Sequence, residues 1–228
     1  MDRPYTVLSC AMSLDGYIDD TGPERLRLSS EQDFDEIDEV RAACDAILVG
    51  AGTLRLDNPR LLIRSSDRRR RRAAAGRTED LVKVVLSESG KLDPDARFFT
   101  TGDAGKLVYT GTGGHAAAVE RFRDSGGVTV VDAGEPPNPG TVLADLAQRG
   151  IGRLLVEGGG HIHTLFLTAG LADELRVAVA PFFIGDTAAP RFVGSGSFPN
   201  GPGNPMRLVE ARSIGDMAIL RYLARSTE

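Results

Sequence analysis

The 228-residue chain has no tryptophan, three histidines and two cysteines, and none of its apolar runs approaches the ~20 residues that span a bilayer. Each scarcity removes a class of protein. Cys10 and Cys44 lie in separate apolar segments with no C-x-x-C pair, which excludes a disulfide framework and predicts buried free thiols in a reducing compartment. No basic start followed by a long apolar run precedes Tyr5, so the expected location is the cytoplasm, without membrane contact. The chain lacks a G-x-x-x-x-G-K-[ST] loop, a G-x-S-x-G elbow and any cysteine–histidine cluster suited to zinc. His161 and His163 are two apart, so on a helix they diverge by about 200° and cannot share a metal. No metal is expected; the two read as a helix-start and a packing residue.

What is present is ordinary for a globular protein: 41% hydrophobic residues, 26% charged residues and a net charge of −5. That balance gives no global attraction to nucleic acid, so any bound anion must be met by a local patch. The length suits one α/β domain over 1–228.

The stretch Arg153-Leu154-Leu155-Val156-Glu157-Gly158-Gly159-Gly160-His161 organises the rest. An apolar strand ends on a carboxylate, turns through three glycines and enters a helix carrying Ile162, Leu165, Phe166 and Ala169 until Gly170 stops it. Glycines there allow close backbone approach, and the helix's first N–H groups favour an anion such as a cofactor diphosphate. The same pattern also connects strand to helix with no ligand at all.

Earlier in the chain, residues 5–11 read as a strand and Asp15-Gly16 as a turn, with a ligand role for Asp15 as the competing reading. Ser30-Glu31-Gln32-Asp33 resembles a capping box opening a helix with the stripe Phe34, Ile37, Val40 and Cys44. Arg41 falls between Phe34 and Ile37 in direction, where its guanidinium either snorkels or pairs, or forks a phosphate. A strand at 46–49 leads into Gly50-Ala51-Gly52-Thr53-Leu54-Arg55-Leu56-Asp57-Asn58-Pro59. This begins like a dinucleotide fingerprint, but Arg55 stands where the third glycine should be. Asp57 reads either as a turn opener or as a site carboxylate. The arginine run at 68–72 has no aromatic interleaved and reads as a solvated loop without a site.

From residue 82 the pattern becomes regular. Strands at 82–86, 106–110, 128–131, 154–157 and 175–180 alternate with helices bearing Val119 and Phe122, or Leu143, Leu146 and Ala147. Such alternation predicts an α/β fold with a mostly parallel sheet and helices on both faces. Residues 208–213 and 217–223 predict a C-terminal antiparallel hairpin about Gly215-Asp216. Three strand ends then carry candidates: 50–57, Ser87, and 157–161.

Together, Ala11-Met12-Ser13-Leu14-Asp15-Gly16, Ala46-Ile47-Leu48-Val49-Gly50 with Thr53 and Asp57-Asn58-Pro59, and Val156-Glu157-Gly158-Gly159-Gly160 with Ala169-Gly170-Leu171-Ala172-Asp173-Glu174-Leu175 resemble the reductase domain of bacterial riboflavin biosynthesis. The resemblance implies a three-layer, dihydrofolate-reductase-like fold, a homodimer, and NADPH-dependent reduction of a 5-amino-6-ribosylamino-pyrimidine 5′-phosphate to its ribitylamino product. It implies NADPH at Ala11, Thr53, Asp57 and Ser87, at Gly159 and Gly160 of the turn, and at His161, Ile162, His163, Thr164 and Leu165 of the helix start. The ribosyl phosphate falls to Arg41, Leu61 and Arg64, and the sugar to Glu157; Asp57, from its strand-end position, is the candidate for positioning or relaying the proton. Arg25 stands near where the family has a substrate-touching serine, which leaves room for a dihydrofolate or pterin-like substrate; a non-catalytic nucleotide-binding partner is a separate alternative. No H-x-E or P-C-x-x-C is present, so no deaminase domain is expected.

Overall fold

Short runs of buried aliphatic residues, each closed by glycine or a polar residue, form strands, and the segments between them that carry caps form helices. The computed structural model describes residues 2–22 and 26–225; Arg25 lies outside the described residues. In chain order the elements are β1 (Tyr5–Met12), α1 (Glu31–Ala43), β2 (Ala46–Gly50), α2 (Ala51–Asp57), α3 (Ser66–Ala74), β3 (Val82–Ser87), α4 (Arg97–Thr100), β4 (Lys106–Thr110) and α5 (Thr112–Arg121). They continue with β5 (Val128–Asp132), α6 (Pro139–Gln148), β6 (Arg153–Gly158), α7 (Gly160–Thr168), β7 (Glu174–Val179), β8 (Arg207–Ile214) and β9 (Met217–Leu223). Two compact units result: one holds Asp38–Leu155 with the first residues to Pro4, the other Tyr5–Ile37 and the chain from Val156 onward.

In the first unit β5, β4, β3 and β2 are neighbours in that order, and all pair in parallel. Parallel pairing follows from the helices that return the chain between successive strands. Ile47, Leu48, Val84, Val85 and Val108 are wholly buried, as expected of strands covered on both faces. α5 buries Ala118, its C-cap residue Phe122 is also buried, and Val119 is 46% exposed. Lys83 of β3 is fully buried because its ammonium caps α4, donating to the carbonyls of Phe98 (3.1 Å) and Thr101 (2.6 Å). Burial, with the nearby Lys106 charge adding to it, pushes its pKa down to about 8.

In the second unit β1 pairs in parallel with β7, and the hairpin β8–β9 joins β7 antiparallel through β9. The α/β class, the parallel strands and the terminal hairpin are thus as the pattern predicts. Cys10 and Cys44 are free and buried. No helix of the described residues is long and apolar enough to cross a membrane.

Two expectations fail, and both concern charge. The arginine run is not a solvated loop but helix α3, opened by the Ser65 N-cap and favoured by good helix formers with Arg71 and Arg72 in the last turn. Arg72 is 4% exposed and donates to the carbonyls of Ala42 (2.8 Å), Cys44 (2.6 Å) and Thr78 (2.9 Å). It therefore satisfies carbonyls that the end of α1 leaves open, and Arg77 joins it on Ala42. The second failure is the stripe of α1. Its helix begins where the capping box places it, with the Asp33 amide donating to the Ser30 hydroxyl at 3.1 Å. Yet Phe34, Ile37 and Val40 are only half-buried, and the buried positions include the carboxylates Asp33 and Asp38. Each has a cationic partner, which is how a carboxylate is tolerated there.

Candidate active site

In the first unit, strand register brings three candidate positions to one edge. Gly50 pairs with Leu86 and Ser87 with Thr110, so the start of α2 and the end of β3 leave the strands together. Thr53 and Asp57 are four residues apart on α2, hence on one face, and both are half-buried. Ser87 is 4% exposed. Asn58 ends α2 in a left-handed conformation (φ 41°), and its side chain accepts the Arg97 amide at 2.7 Å. The chain then passes through Leu61, also left-handed at φ 49° and 5% exposed, into a strap at 61–65. A buried, branched residue in that region is strained and persists only where its surroundings over-determine it. Arg41, half-buried on α1, donates to the Leu62 carbonyl at 3.3 Å. Arg64 is exposed two residues further on. Arg41 of α1 thus contacts the strap that carries Leu61 and Arg64.

In the second unit, Ala11 stands at the end of β1 opposite Ala178, and Glu157 is half-buried near the end of β6. The glycine turn that follows is explained partly by internal contacts. Gly158 has φ +68°, and a Cβ there would lie 2.3 Å from the His163 imidazole; a Cβ on Gly160 would lie 2.2 Å from the Arg191 carbonyl oxygen. Gly158 gives way to a side chain and Gly160 to a backbone. Ile162 and His163 are buried, so only their backbone could meet a ligand, whereas His161 is exposed and Thr164 and Leu165 are half-buried.

His163 packs on Gly158 and on the Phe192 ring at 5.1 Å, and its Nδ1 has no hydrogen-bond partner among the described residues. Burial pushes its pKa from the ordinary 6.5 down to about 4, which keeps the ring neutral. The folded state therefore binds this proton less readily than the unfolded chain. The contribution is complete above about pH 6.5 and is lost as pH falls from there through about pH 4, a loss on the order of 3 kcal/mol. Urea midpoints measured across that window are expected to fall with pH, and the slope to flatten in His163→Gln.

A cleft of about 400 Å³ opens where α7 begins, lined by Gly160, His161 and Thr164 on one side and by Arg191, Gly194 and Ser195 on the other. The Thr164 hydroxyl ties the two together, donating to the Gly160 carbonyl (2.7 Å) and accepting the Gly194 amide (2.8 Å). Arg191 is held in place by the Tyr17 hydroxyl at 2.7 Å, with its guanidinium 4.3 Å from that ring's centre. Asp15 stands in the turn and also ties it to a distant segment. Its carboxylate accepts the Ser13 hydroxyl and the amides of Ile184 and Gly185, and these bonds, Ser13 foremost, hold it below the usual carboxylate range. The cleft suits an anion because it lies at the positive end of α7 and Arg191 is among its lining residues, with no carboxylate among those described. Arg191 was not found by sequence reasoning. It lies after β7 in an irregular stretch, and no periodicity marks it.

These features define a parallel α/β protein of the class that holds ligands at the carboxyl ends of its strands. The chain belongs to the RibD C-terminal domain family, whose model matches residues 4–220. It is 34% identical over 198 residues to the 2,5-diamino-6-ribosylamino-4(3H)-pyrimidinone 5′-phosphate reductase of Archaeoglobus fulgidus, covering 86% of this chain and 89% of that one. The reductase of the same name from Methanothermobacter thermautotrophicus is 31% identical over 98% of this chain and 99% of its own. Riboflavin biosynthesis protein RibD of Bacillus amyloliquefaciens is 31% identical over 86% of this chain, which spans 50% of that protein. Among solved structures, a pyrimidine reductase-like protein from Corynebacterium diphtheriae superposes with a TM-score of 0.81 at 23% identity, over 99% of this chain and 94% of that one. At that identity the likeness establishes the fold. The resemblance read from the residues, and the fold it implied, are borne out.

Proposed function

We propose that this protein is the NADPH-dependent reductase that converts 2,5-diamino-6-ribosylamino-4(3H)-pyrimidinone 5′-phosphate to its ribitylamino product in riboflavin biosynthesis, working as a homodimer. The observation that carries the reading is end-to-end likeness to reductases of that name, extending over 98% of this chain and 99% of the Methanothermobacter enzyme. Geometry supports it independently. The strap that carries Arg64 and is contacted by Arg41 suits a phosphate, and the cleft at α7 suits a diphosphate.

When bound, the nicotinamide cofactor supplies the hydride that C1′ of the ring-opened ribosyl imine accepts. The chain's own residues bind, orient and move the proton. In the second unit, amides at the start of α7 with Arg191 are assigned to the diphosphate; in the first unit, Thr53 and Ser87 are assigned to the cofactor. Lys91, exposed in the turn after Ser87, is the candidate for a 2′-phosphate. Arg41 and Arg64 hold the ribosyl phosphate, Glu157 the sugar hydroxyls, and Asp57 relays the proton that the substrate nitrogen receives as C1′ is reduced.

NADPH oxidation by the purified chain tests this, with the diamino phosphate, its deaminated counterpart and dihydrofolate offered in parallel. Turnover of the diamino compound is expected; turnover of dihydrofolate alone, or of nothing, would overturn the assignment. Gly52 gives a narrower test. It sits exposed in the first turn of α2 with a negative φ, and open space surrounds the position its Cβ would take, so no internal contact requires glycine. Alanine favours a helix by about 0.5–1 kcal/mol, worth roughly 2 °C in a domain of this size. Gly52→Ala is therefore expected to raise the melting temperature slightly while raising the KM for NADPH several-fold. An unchanged KM would remove this turn from the cofactor site.

A further inference from the structure

The strap at 61–65 is held by side chains of the elements around it, and its amides go to carboxylates. The Ile63 amide donates to Asp80 at 2.9 Å, and the Arg64 and Ser65 amides donate to the two oxygens of Asp38 at 2.6 and 3.0 Å. The Arg68 guanidinium completes the Asp38 carboxylate at 3.1 Å. Asp38 is 1% exposed and stands three residues before Arg41, on the same face of α1. One helix face therefore grips the strap twice, Arg41 at the Leu62 carbonyl and Asp38 at the amides of Arg64 and Ser65. A buried carboxylate is costly to keep, and two of this one's hydrogen bonds go to the backbone of Arg64, read above as a phosphate ligand, and of Ser65.

We propose that Asp38 is a positioning residue for recognition of the substrate's 5′-phosphate, acting through the backbone of Arg64, with Arg68 of the arginine run fixing its carboxylate. The inference rests on the reading of Arg64 as a phosphate ligand given above. A guanidinium fork binds a phosphate well only when its base is fixed, because every degree of freedom left in the strap must be frozen on binding. Asparagine at 38 keeps the shape but replaces one acceptor oxygen with a donor, so at least one of the three bonds is lost.

The test is the preference for the phosphorylated over the dephosphorylated ribosylamino-pyrimidine, read as the ratio of kcat/KM values in Asp38→Asn, Arg64→Ala and the double variant. Asp38→Asn is expected to raise the KM for the phosphorylated substrate about tenfold and to lower the preference by the same factor, with kcat and the KM for NADPH within twofold of wild type. On the Arg64→Ala background it should lower the preference no further, since the two act as a unit. A role confined to stability would shift melting temperature and leave the preference alone. If Arg64→Ala lowers the preference and Asp38→Asn does not, the proposal is overturned while the phosphate site stands. If Arg64→Ala itself leaves the preference unchanged, the reading of Arg64 falls and this proposal with it. Should Asp38→Asn not fold, Arg68→Gln takes its place, with a threefold drop expected and an unchanged preference counting against the proposal.

Discussion

Replacing Asp33 with alanine is expected to cost about 3 kcal/mol of folding stability. Asp33 and Arg176 form an ion pair at 2.7 Å with side chains only 3% and 6% exposed. Truncating the carboxylate leaves a guanidinium in the interior, and it is that stranded charge, more than the lost attraction, that destabilises. Glu36 stands 3.5 Å from the same guanidinium, which is why the lower end of the usual range is expected rather than the upper. The same physics predicts rescue. Asp33→Leu combined with Arg176→Met removes both charges and fills the space, and should return to within about 1 kcal/mol of wild type. Urea unfolding of the two singles and the double decides it, and a loss below about 1 kcal/mol in Asp33→Ala would mean the pair is solvated.

Gly160→Ala is expected to lower kcat/KM by about a hundredfold, or roughly 2.7 kcal/mol of transition-state binding, with a loss of about 1–3 kcal/mol in stability. The added methyl would lie 2.2 Å from the Arg191 carbonyl oxygen and 3.6 Å from that of Phe192. Both are backbone atoms, so no rotamer change relieves the overlap; either the start of α7 or the segment carrying Arg191 must move, and both line the cleft. Gly158→Ala makes the contrast. Its methyl meets the His163 ring, a side chain, so Gly158→Ala with His163→Ala should be less damaged than the sum of the singles, apart from the cost of about 1–2 kcal/mol for alanine at a positive φ. Fluorescence titration with NADPH beside thermal melts separates the effects. A Gly160→Ala protein that binds NADPH as wild type does would show that the cofactor lies elsewhere.

Much of the organisation was legible because it depends on neighbours in sequence. The apolar runs that became β2, β3, β4 and β6, the Ser30 cap of α1, and the hairpin about Gly215 follow from side-chain period, capping residues and turn residues acting within a few positions. Arg41 could be singled out as misplaced on an apolar stripe, and the structure shows it reaching the Leu62 carbonyl. The family blocks located the strand ends, since each joins a local strand pattern to a local turn.

The order of strands, the parallel pairing of β1 with β7 and the fates of the buried charges are different in kind. Arg72 is buried because carbonyls about 30 residues earlier in the chain lie open to it at the end of α1. Lys83 caps α4, Asp38 grips the strap, and Arg191 arrives at the Gly160 turn from beyond β7. By itself the sequence determined the α/β class, the places where strands end and the residue types gathered there, because short-range periodicity and turn chemistry suffice for those. Only the tertiary structure decided which charged groups are interior and what they hold, because a charge is stable inside only where distant parts of the chain bring it a partner.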